Sequence, residues 1–340
     1  MSKHGICTAV LLGLIGAGAT LAEPLQIAGA GATFPAPLYA RWFSEYKKTH
    51  PSIEFVYQPI GSGAGSRKLA ERVVFFSATD APLSTEQLAV VKFPVFHLPT
   101  TMGAVVPVVN IPGFKGELRL SGAVLADIFQ GRVASWDDPR IKASNPDTAL
   151  PATRVTAVHR SDPSGTTFIF TEYLAKMSRT FASQSGSGLT VSWSGGVERS
   201  GSSALAHFVA EVPGAIGYVE LTYALENKLS YASVQNAAGQ YVKATFASIQ
   251  EAGGESQENV PSDFRMSLTN APGARSYPIS SFTWLLVPEK PADKARGRAL
   301  ADFMRWALTS GQKYCSELGY APLPEGLVAL ELAALKRLSP

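Results

Sequence analysis

The sequence predicts an α/β protein with a largely parallel sheet. Three observations predict it. A rhythm of apolar strand, glycine-rich turn and helix recurs through the first 90 residues. Apolar β-type runs at 102–111 and 279–287 read as connections out to a second domain and back. The length, 340 residues, suits two domains of ordinary size.

The basic start Met1-Ser-Lys-His, the apolar run Ile6 to Ile15 and small residues up to Ala22 predict a secretory signal at 1–22, cut after Ala22. The apolar core is short for a membrane anchor, and no later stretch reaches the roughly 20 apolar residues that a span needs. Cys7 leaves with the signal, so Cys315 alone remains and no intramolecular disulfide is expected. Removing 22 residues from 340 leaves 318, carrying 29 basic and 27 acidic side chains. That balance gives no reason to expect nucleic acid or an anionic membrane as partner.

Residues 25–34 read as a short strand breaking into a glycine turn, and Pro35 and Pro37 open a helix through Leu38, Tyr39, Trp42, Phe43 and Tyr46. Ile53 to Tyr57 is a strand, Gly61 to Ser66 a second glycine turn, and Arg67 to Val73 a helix. Phe75 and Phe76 lead into a strand that ends near Asp80. Ser84 is placed to cap a helix at 85–91. Ser121 to Phe129 is a helix, and Pro146 and Pro151 mark a connector. Val155 to Val158 is a strand, followed by His159-Arg160-Ser161-Asp162-Pro163-Ser164-Gly165-Thr166-Thr167 and a helix through Leu174. Residues 183–203 read as a long Ser/Gly surface loop around Trp193. A helix starts at 204–209, a turn and strand follow at 213–219, and 251–275 is polar without periodicity. An amphipathic helix at 292–308 is broken at Gly311, and 327–335 is a last helix. Trp42, Phe43, Trp284 and Trp306 are expected in the core, Cys315 as inert, and Lys294, Arg296 and Arg298 on a solvated face.

Three segments offer backbone N–H groups together with a hydroxyl at a loop or helix start: Thr33-Phe34, Ser62 through Ser66, and Ser164 through Thr166. A helix start leaves N–H groups without intrahelical partners and carries the positive end of the dipole, so an anion suits it. Taken alone, each segment is equally an ordinary cap or tight turn. Together, with Arg160 as a planar cation, they describe a site for a compact anion. The nucleotide loop G-x-x-x-x-G-K-[ST] is absent from the sequence. Asp80 adds an acceptor among donors, which suits an anion that still carries a proton. Phosphate near neutral pH has such a proton and sulfate does not. Asp80 and Asp162 are also ordinary turn residues, and Asp162 could instead pair with Arg160.

Gly29-Ala-Gly-Ala-Thr-Phe-Pro-Ala-Pro-Leu-Tyr, Ile60-Gly-Ser-Gly, Ala78-Thr-Asp-Ala-Pro-Leu-Ser, Val109-Asn-Ile-Pro-Gly, Trp136-Asp-Asp, Ser164-Gly-Thr and Pro213-Gly-Ala-Ile-Gly-Tyr-Val-Glu occur in this order. In these segments the chain resembles the phosphate-binding protein of the bacterial ABC phosphate importer, the PstS family. The resemblance implies a type II periplasmic binding protein fold, two α/β lobes joined by two crossing strands with the ligand cleft between them. It places lobe I at 23–102 and 277–340 and lobe II at 103–276. It implies that Thr33, Phe34, Ser62, Asp80, Arg160, Ser164, Gly165 and Thr166 hold inorganic phosphate, with Asp162 as partner of Arg160. It further implies a periplasmic, non-enzymatic, monomeric protein that needs no metal or cofactor and delivers phosphate to a membrane permease. The sequence departs from the family pattern at Phe75 and Ser77, at Pro163, and in the 195–203 loop, which lacks the usual Asn-Asp.

Other functions fit parts of the same pattern. The same fold could bind sulfate or another oxyanion, or serve as a secreted phosphate sensor. An exported phosphate-ester hydrolase would use Ser164 or Ser62 as nucleophile with His159 or His207 as base. Against it, the chain has no G-x-S-x-G elbow and no His pair at helical metal spacing.

Overall fold

A computed structural model describes residues 23–254 and 260–336, so the expected signal at 1–22 lies outside the described residues. The strands are β1 (Leu25–Gly31), β2 (Ile53–Pro59), β3 (Phe76–Thr79), β4 (Val95–Val109), β5 (Arg119–Leu120), β6 (Thr156–Arg160), β7 (Val197–Arg199), β8 (Ala215–Glu220), β9 (Ser230–Tyr231), β10 (Ser233–Gln235), β11 (Tyr241–Val242) and β12 (Ser280–Pro288). The main sheet runs β2-β1-β3-β12-β4-β8-β6-β7, with β9 added to β4. A small second sheet joins β11, β10 and β5.

The main sheet is parallel at its two ends and antiparallel in its middle. β1 pairs in parallel with β2 and β3, and β6 in parallel with β7 and β8. β12 is antiparallel to β3 and β4, and β4 is antiparallel to β8. The largely parallel sheet expected from the strand–turn–helix rhythm is therefore confined to the two flanks. The physical reason is that β4 carries the chain out of one flank and β12 brings it back, in opposite directions. β4 spends residues 95–104 against β12 and residues 105–109 against β8.

The central pair has one irregularity. Thr283 pairs with Thr101 but Trp284 pairs with Pro99, so Thr100 is an extra residue in β4. Pro99 has no N–H to give the ladder, and a bulge tolerates that loss. Bulges re-aim neighbouring side chains. Thr100 turns its hydroxyl onto the Thr283 carbonyl (3.1 Å) and meets the Tyr39 hydroxyl (2.8 Å).

Helix Ala36–Thr49 starts behind Pro35, with Pro37 in its first turn, where a missing N–H costs nothing. It buries Leu38, Tyr39, Trp42 and Tyr46, one stripe at helical spacing. Trp42 Nε1 donates to the Gly311 carbonyl at 2.8 Å. Helix Lys294–Trp306 supplies Leu300, Phe303 and Met304 to the same core, capped by Asp293, whose carboxylate accepts the Ala295 and Arg296 N–H groups. Trp284 is fully buried, Phe43 and Trp306 pack at the edge of the core, and burial pushes the Cys315 thiol up to about 12. Arg296 is not simply solvated: it donates to the Gln26 carbonyl and lies over the Phe75 ring.

Three local expectations need correction. Gly61 to Ser66 is not a turn before a helix; the helix itself is Ser62–Ala70. A Cβ on Gly65 would come within 2.2 Å of the Gly31 Cα, so the glycines let the helix lie directly on the end of β1. The 183–203 loop contains helical residues to Gln184 and strand β7, and Trp193 stacks on His159 (5.0 Å) instead of facing solvent freely. Within 251–275, residues up to Gly254 belong to helix Phe246–Gly254.

Candidate anion-binding site

The carboxyl ends of β1, β2, β3, β6, β7 and β8 deliver Thr33, Ser62, Asp80, Arg160, Ser202 and Glu220 to one place, as open α/β sheets generally do with their ligand-contacting residues. All six side chains are buried. The structure brings Thr33, Ser62, Asp80, Arg160, Gly165 and Thr166 together, with Phe34 and Ser164 beside them.

Arg160 ends β6. Its Nε donates to Asp162 Oδ1 at 2.7 Å and its Nη2 to Asp162 Oδ2, so one edge of the guanidinium is fully used. Gly201 N–H also donates to Asp162 Oδ1 at 2.9 Å and fixes the acid. Burial opposes charge on Asp162, but the hydrogen bonds and charge of Arg160 outweigh it and hold this carboxyl below its usual range. Arg160 Nη1 is left to face Ser202 Oγ (2.9 Å), Thr33 Oγ1 (3.3 Å) and Thr166 Oγ1 (3.5 Å). Thr33 Oγ1 and Ser202 Oγ are 3.0 Å apart.

Backbone donors surround this point. Ala32, Thr33 and Phe34 form the turn after β1, and three tyrosine hydroxyls take their carbonyls in succession. Tyr57 donates to Ala32 O (2.7 Å), Tyr223 to Thr33 O (3.1 Å) and Tyr320 to Phe34 O (2.6 Å). With those carbonyls held, the Thr33 and Phe34 N–H groups have no acceptor among the described residues. Helix Gly165–Met177 begins with Ser164 as its cap, whose hydroxyl accepts the Thr167 N–H at 3.3 Å. The Gly165 and Thr166 N–H groups remain open at the positive end of that helix.

Asp80 follows β3 and is 1% exposed. Its Oδ1 accepts from Thr283 at 2.6 Å, and its main-chain N–H reaches Ser62 Oγ at 3.4 Å. Oδ2 is buried and has no partner. Burial pushes this carboxyl well above its ordinary range, and the nearby Glu220 charge adds to the rise. The Thr283 hydrogen bond, the Arg160 charge and the Ser62 hydroxyl oppose it. Gly165 sits against Oδ2: a Cβ there would lie 2.6 Å from Asp80 Oδ2 and 2.5 Å from Ser62 Oγ. The segments flanking the site close on each other, with Gly63 N–H donating to the Pro163 carbonyl at 3.1 Å. A groove of about 520 Å³, lined in part by Asp80, Pro82, Phe168, Glu172 and Arg265, opens beside Asp80.

The arrangement offers one cation edge, several uncommitted N–H donors and a buried carboxylate oxygen that can only accept or carry a proton. That is a receptor for a small oxyanion bearing a proton. Among the described residues no group of three or more His, Cys, Asp or Glu side chains is placed to hold a metal ion.

The family model for the PBP superfamily domain matches residues 17–310. Phosphate-binding protein PstS of Xylella fastidiosa (strain Temecula1 / ATCC 700964) is 40% identical over 311 residues, covering 91% of this chain and 85% of the relative. The protein of that name from Haemophilus influenzae is 38% identical over 294 residues, covering 86% and 87%. The chain belongs to the PstS family of phosphate-binding proteins. Among solved structures, a high affinity periplasmic phosphate-binding protein (PfluDING) bound with phosphate matches with a TM-score of 0.71 at 22% identity, covering 91% of this chain and 93% of that one. Phosphate binding protein from Stenotrophomonas maltophilia matches with a TM-score of 0.67 at 20% identity, covering 91% and 93%. The fold of this PstS-family chain is that of the type II periplasmic binding proteins.

Three residues at the site escaped the sequence reading. Ser202 lies in the loop that lacks the usual Asn-Asp; its signal was the Ser-Gly-Ser step into helix Gly201–Glu211. Glu220 ends β8 and accepts the Thr166 hydroxyl at 2.6 Å; it stood in the quoted 213–220 segment without a role. Thr283 is one of three hydroxyl residues in β12 and carries no local signal. The two serines weighed as nucleophiles serve the backbone here: Ser164 accepts the Thr167 N–H and Ser62 the Asp80 N–H. His159 is stacked on Trp193 with Nδ1 toward the Arg160 carbonyl, and His207 is exposed with Nδ1 toward the Ser203 carbonyl.

Proposed function

We propose that this chain captures inorganic phosphate in the cleft and hands it to an ABC-type membrane permease, without turning it over. In this reading Thr33, Phe34, Gly165 and Thr166 supply backbone donors, with Ser62 and Ser164 beside them. Arg160, held by Asp162, supplies the positive charge, and Asp80 accepts the proton of phosphate. Residues 23–102 with 277–340 form one lobe and 103–276 the other, β4 and the approach to β12 being the crossing strands. The chain works as an exported periplasmic monomer. Its relatives carry the phosphate-binding name, and no helix among the described residues is long and apolar enough to cross a membrane.

The observation that carries the reading is Asp80 Oδ2, a buried acceptor without a partner in a ring of donors. A protonated oxyanion satisfies it; a fully deprotonated one meets a lone pair with a lone pair. Micromolar affinity needs about 8 kcal/mol, within reach of several charge-assisted hydrogen bonds after desolvation. Isothermal titration with phosphate, alone and against excess sulfate, tests it. Micromolar or tighter phosphate binding that sulfate does not displace is expected. Equal binding of the two anions overturns the reading.

A further inference from the structure

We propose that residues 263–270 are a strap across the cleft, with Arg265 on the Leu83 main chain as its clasp, and that this clasp sets how slowly phosphate leaves. The inference rests on the phosphate reading above and concerns contacts away from the groups that hold the anion. One end of the strap is fastened to helix Gly165–Met177. Ser267 Oγ donates to Glu172 Oε2 at 2.9 Å, and Lys176 Nζ donates to the Thr269 carbonyl at 2.8 Å. Leu268 and Thr269 are buried there. The other end takes hold of the far side of the cleft. Arg265 Nη1 donates to the Leu83 carbonyl at 2.7 Å, and Trp284 Nε1 of β12 donates to the Phe264 carbonyl at 2.8 Å. Leu83 lies between Asp80 and helix Thr85–Val90. The strap therefore joins the segment that carries Asp80 to the helix that carries Gly165 and Thr166. In the lobe division proposed above, Leu83 and Trp284 belong to one lobe and Glu172, Lys176 and Arg265 to the other. The groove of about 520 Å³ beside Asp80 is lined from both sides and by the strap itself.

Both halves of the clasp are held in place. Asp263 Oδ2 accepts from Arg265 Nε at 2.8 Å, and Asp263 Oδ1 from the Arg265 N–H at 3.2 Å, which steadies the guanidinium with Nη1 on Leu83. The Leu83 N–H in turn donates to His97 Nε2 at 3.1 Å, so β4 fixes one main-chain group of Leu83 and the strap the other. Burial holds the His97 imidazole down to about 4, with the Arg265 charge adding to the fall and Asp263 opposing it. At neutral pH the ring is thus uncharged and Nε2 stays an acceptor. The Arg265 side chain is 26% exposed, against 1% for Arg160. A contact near solvent parts and reforms without opening the core, as a clasp must. Phe264 has φ 56°, a left-handed backbone that an aromatic residue rarely adopts. Such a backbone persists only where its surroundings hold it, and letting go of the Leu83 end relieves it.

The test loads the full mature protein with radiolabelled phosphate and follows its release into excess unlabelled phosphate. A contact made only in the shut state slows release and leaves the stability of the empty protein alone. In Arg265→Ala release should be about tenfold faster, the lower end for losing a charged hydrogen bond because this one is partly exposed. The association rate and the melting temperature of the phosphate-free protein should not change. Asp263→Asn leaves the guanidinium unsteadied at an exposed position and should speed release to a smaller degree; it decides the matter if Arg265→Ala does not fold. Release unchanged in these variants, or a lower melting temperature of phosphate-free Arg265→Ala, overturns the inference while leaving phosphate binding intact. Wild type that retains no phosphate overturns the phosphate reading itself, and this inference with it.

Discussion

Thr283 donates its hydroxyl to Asp80 Oδ1 at 2.6 Å, which leaves Oδ2 as the acceptor turned toward the mouth of helix Gly165–Met177. Thr283 stands where the β12–β4 pairing shifts at the Thr100 bulge, and its neighbour Trp284 pairs with Thr79, next to Asp80. Asp80→Asn replaces one acceptor oxygen with a donor. An unmade charged hydrogen bond costs roughly 1.5–3 kcal/mol, so phosphate affinity should fall about tenfold to hundredfold while sulfate affinity rises. Competition titration of the two anions measures both. Unaltered selectivity would remove the role given to this carboxylate.

Asp162 stabilises the fold as well as aiming Arg160. The Arg160 side chain is 1% exposed, and its charge is matched by this acid. Asp162→Asn should cost about 3 kcal/mol at neutral pH, as breaking a buried pair does. The pH dependence follows from the lowered carboxyl of Asp162. A folded value below the unfolded one means the stabilisation is complete above the ordinary Asp range, about 3.9. It is lost as pH falls through the lowered folded value. The gap between wild type and Asp162→Asn in denaturant midpoint should therefore close only in strong acid. A gap constant with pH would mean the pair contributes by packing and not by charge.

The arm from Arg160 to Thr166 was legible in the sequence because strand, proline, cap and helix follow each other within a dozen residues, and local rules govern each step. Asp80 was legible as an acceptor among donors. Ser202, Glu220 and Thr283 were not, since each meets its partner through sheet pairing across 42, 54 and 203 positions. Alternation along a strand shows which side chains share a face, but not which distant strand lies beside it. The helix Ser62–Ala70 was hidden for a related reason. Glycine disfavours a helix locally, and here the close approach of Gly65 to Gly31 overrides that cost.

Gly165→Ala is the sharpest probe of how tightly the site closes. The added methyl would stand 2.6 Å from Asp80 Oδ2 and 2.5 Å from Ser62 Oγ, inside contact distance of both. Alanine is at least as good a helix former as glycine, so the helix itself should not suffer. The expected outcome is a folded protein with unchanged far-ultraviolet circular dichroism and phosphate affinity reduced at least about hundredfold, because the flanking segments cannot meet around the anion. Near-native affinity would show that the segments have room to spare.

Glu331 gives a prediction about stability alone. Helix Glu325–Leu335 buries Leu327, Glu331, Ala334 and Leu335 on one face, so an acid occupies a core position. It is fully buried and neither carboxylate oxygen has a partner. Burial accordingly pushes its carboxyl well above the ordinary range. The folded value lies above the unfolded one, so its contribution to stability is greatest below the unfolded value, about 4.3, and is lost as pH rises through the folded one. Wild type should therefore weaken with rising pH at this position. Glu331→Leu removes the unpaired acid at similar volume and should raise stability by about 1–3 kcal/mol at alkaline pH, with a smaller gain in acid. Thermal unfolding of both proteins at acidic and alkaline pH checks it. If leucine proves neutral or harmful at alkaline pH, Glu331 must have found a compensating partner or water that the bare side-chain geometry does not provide.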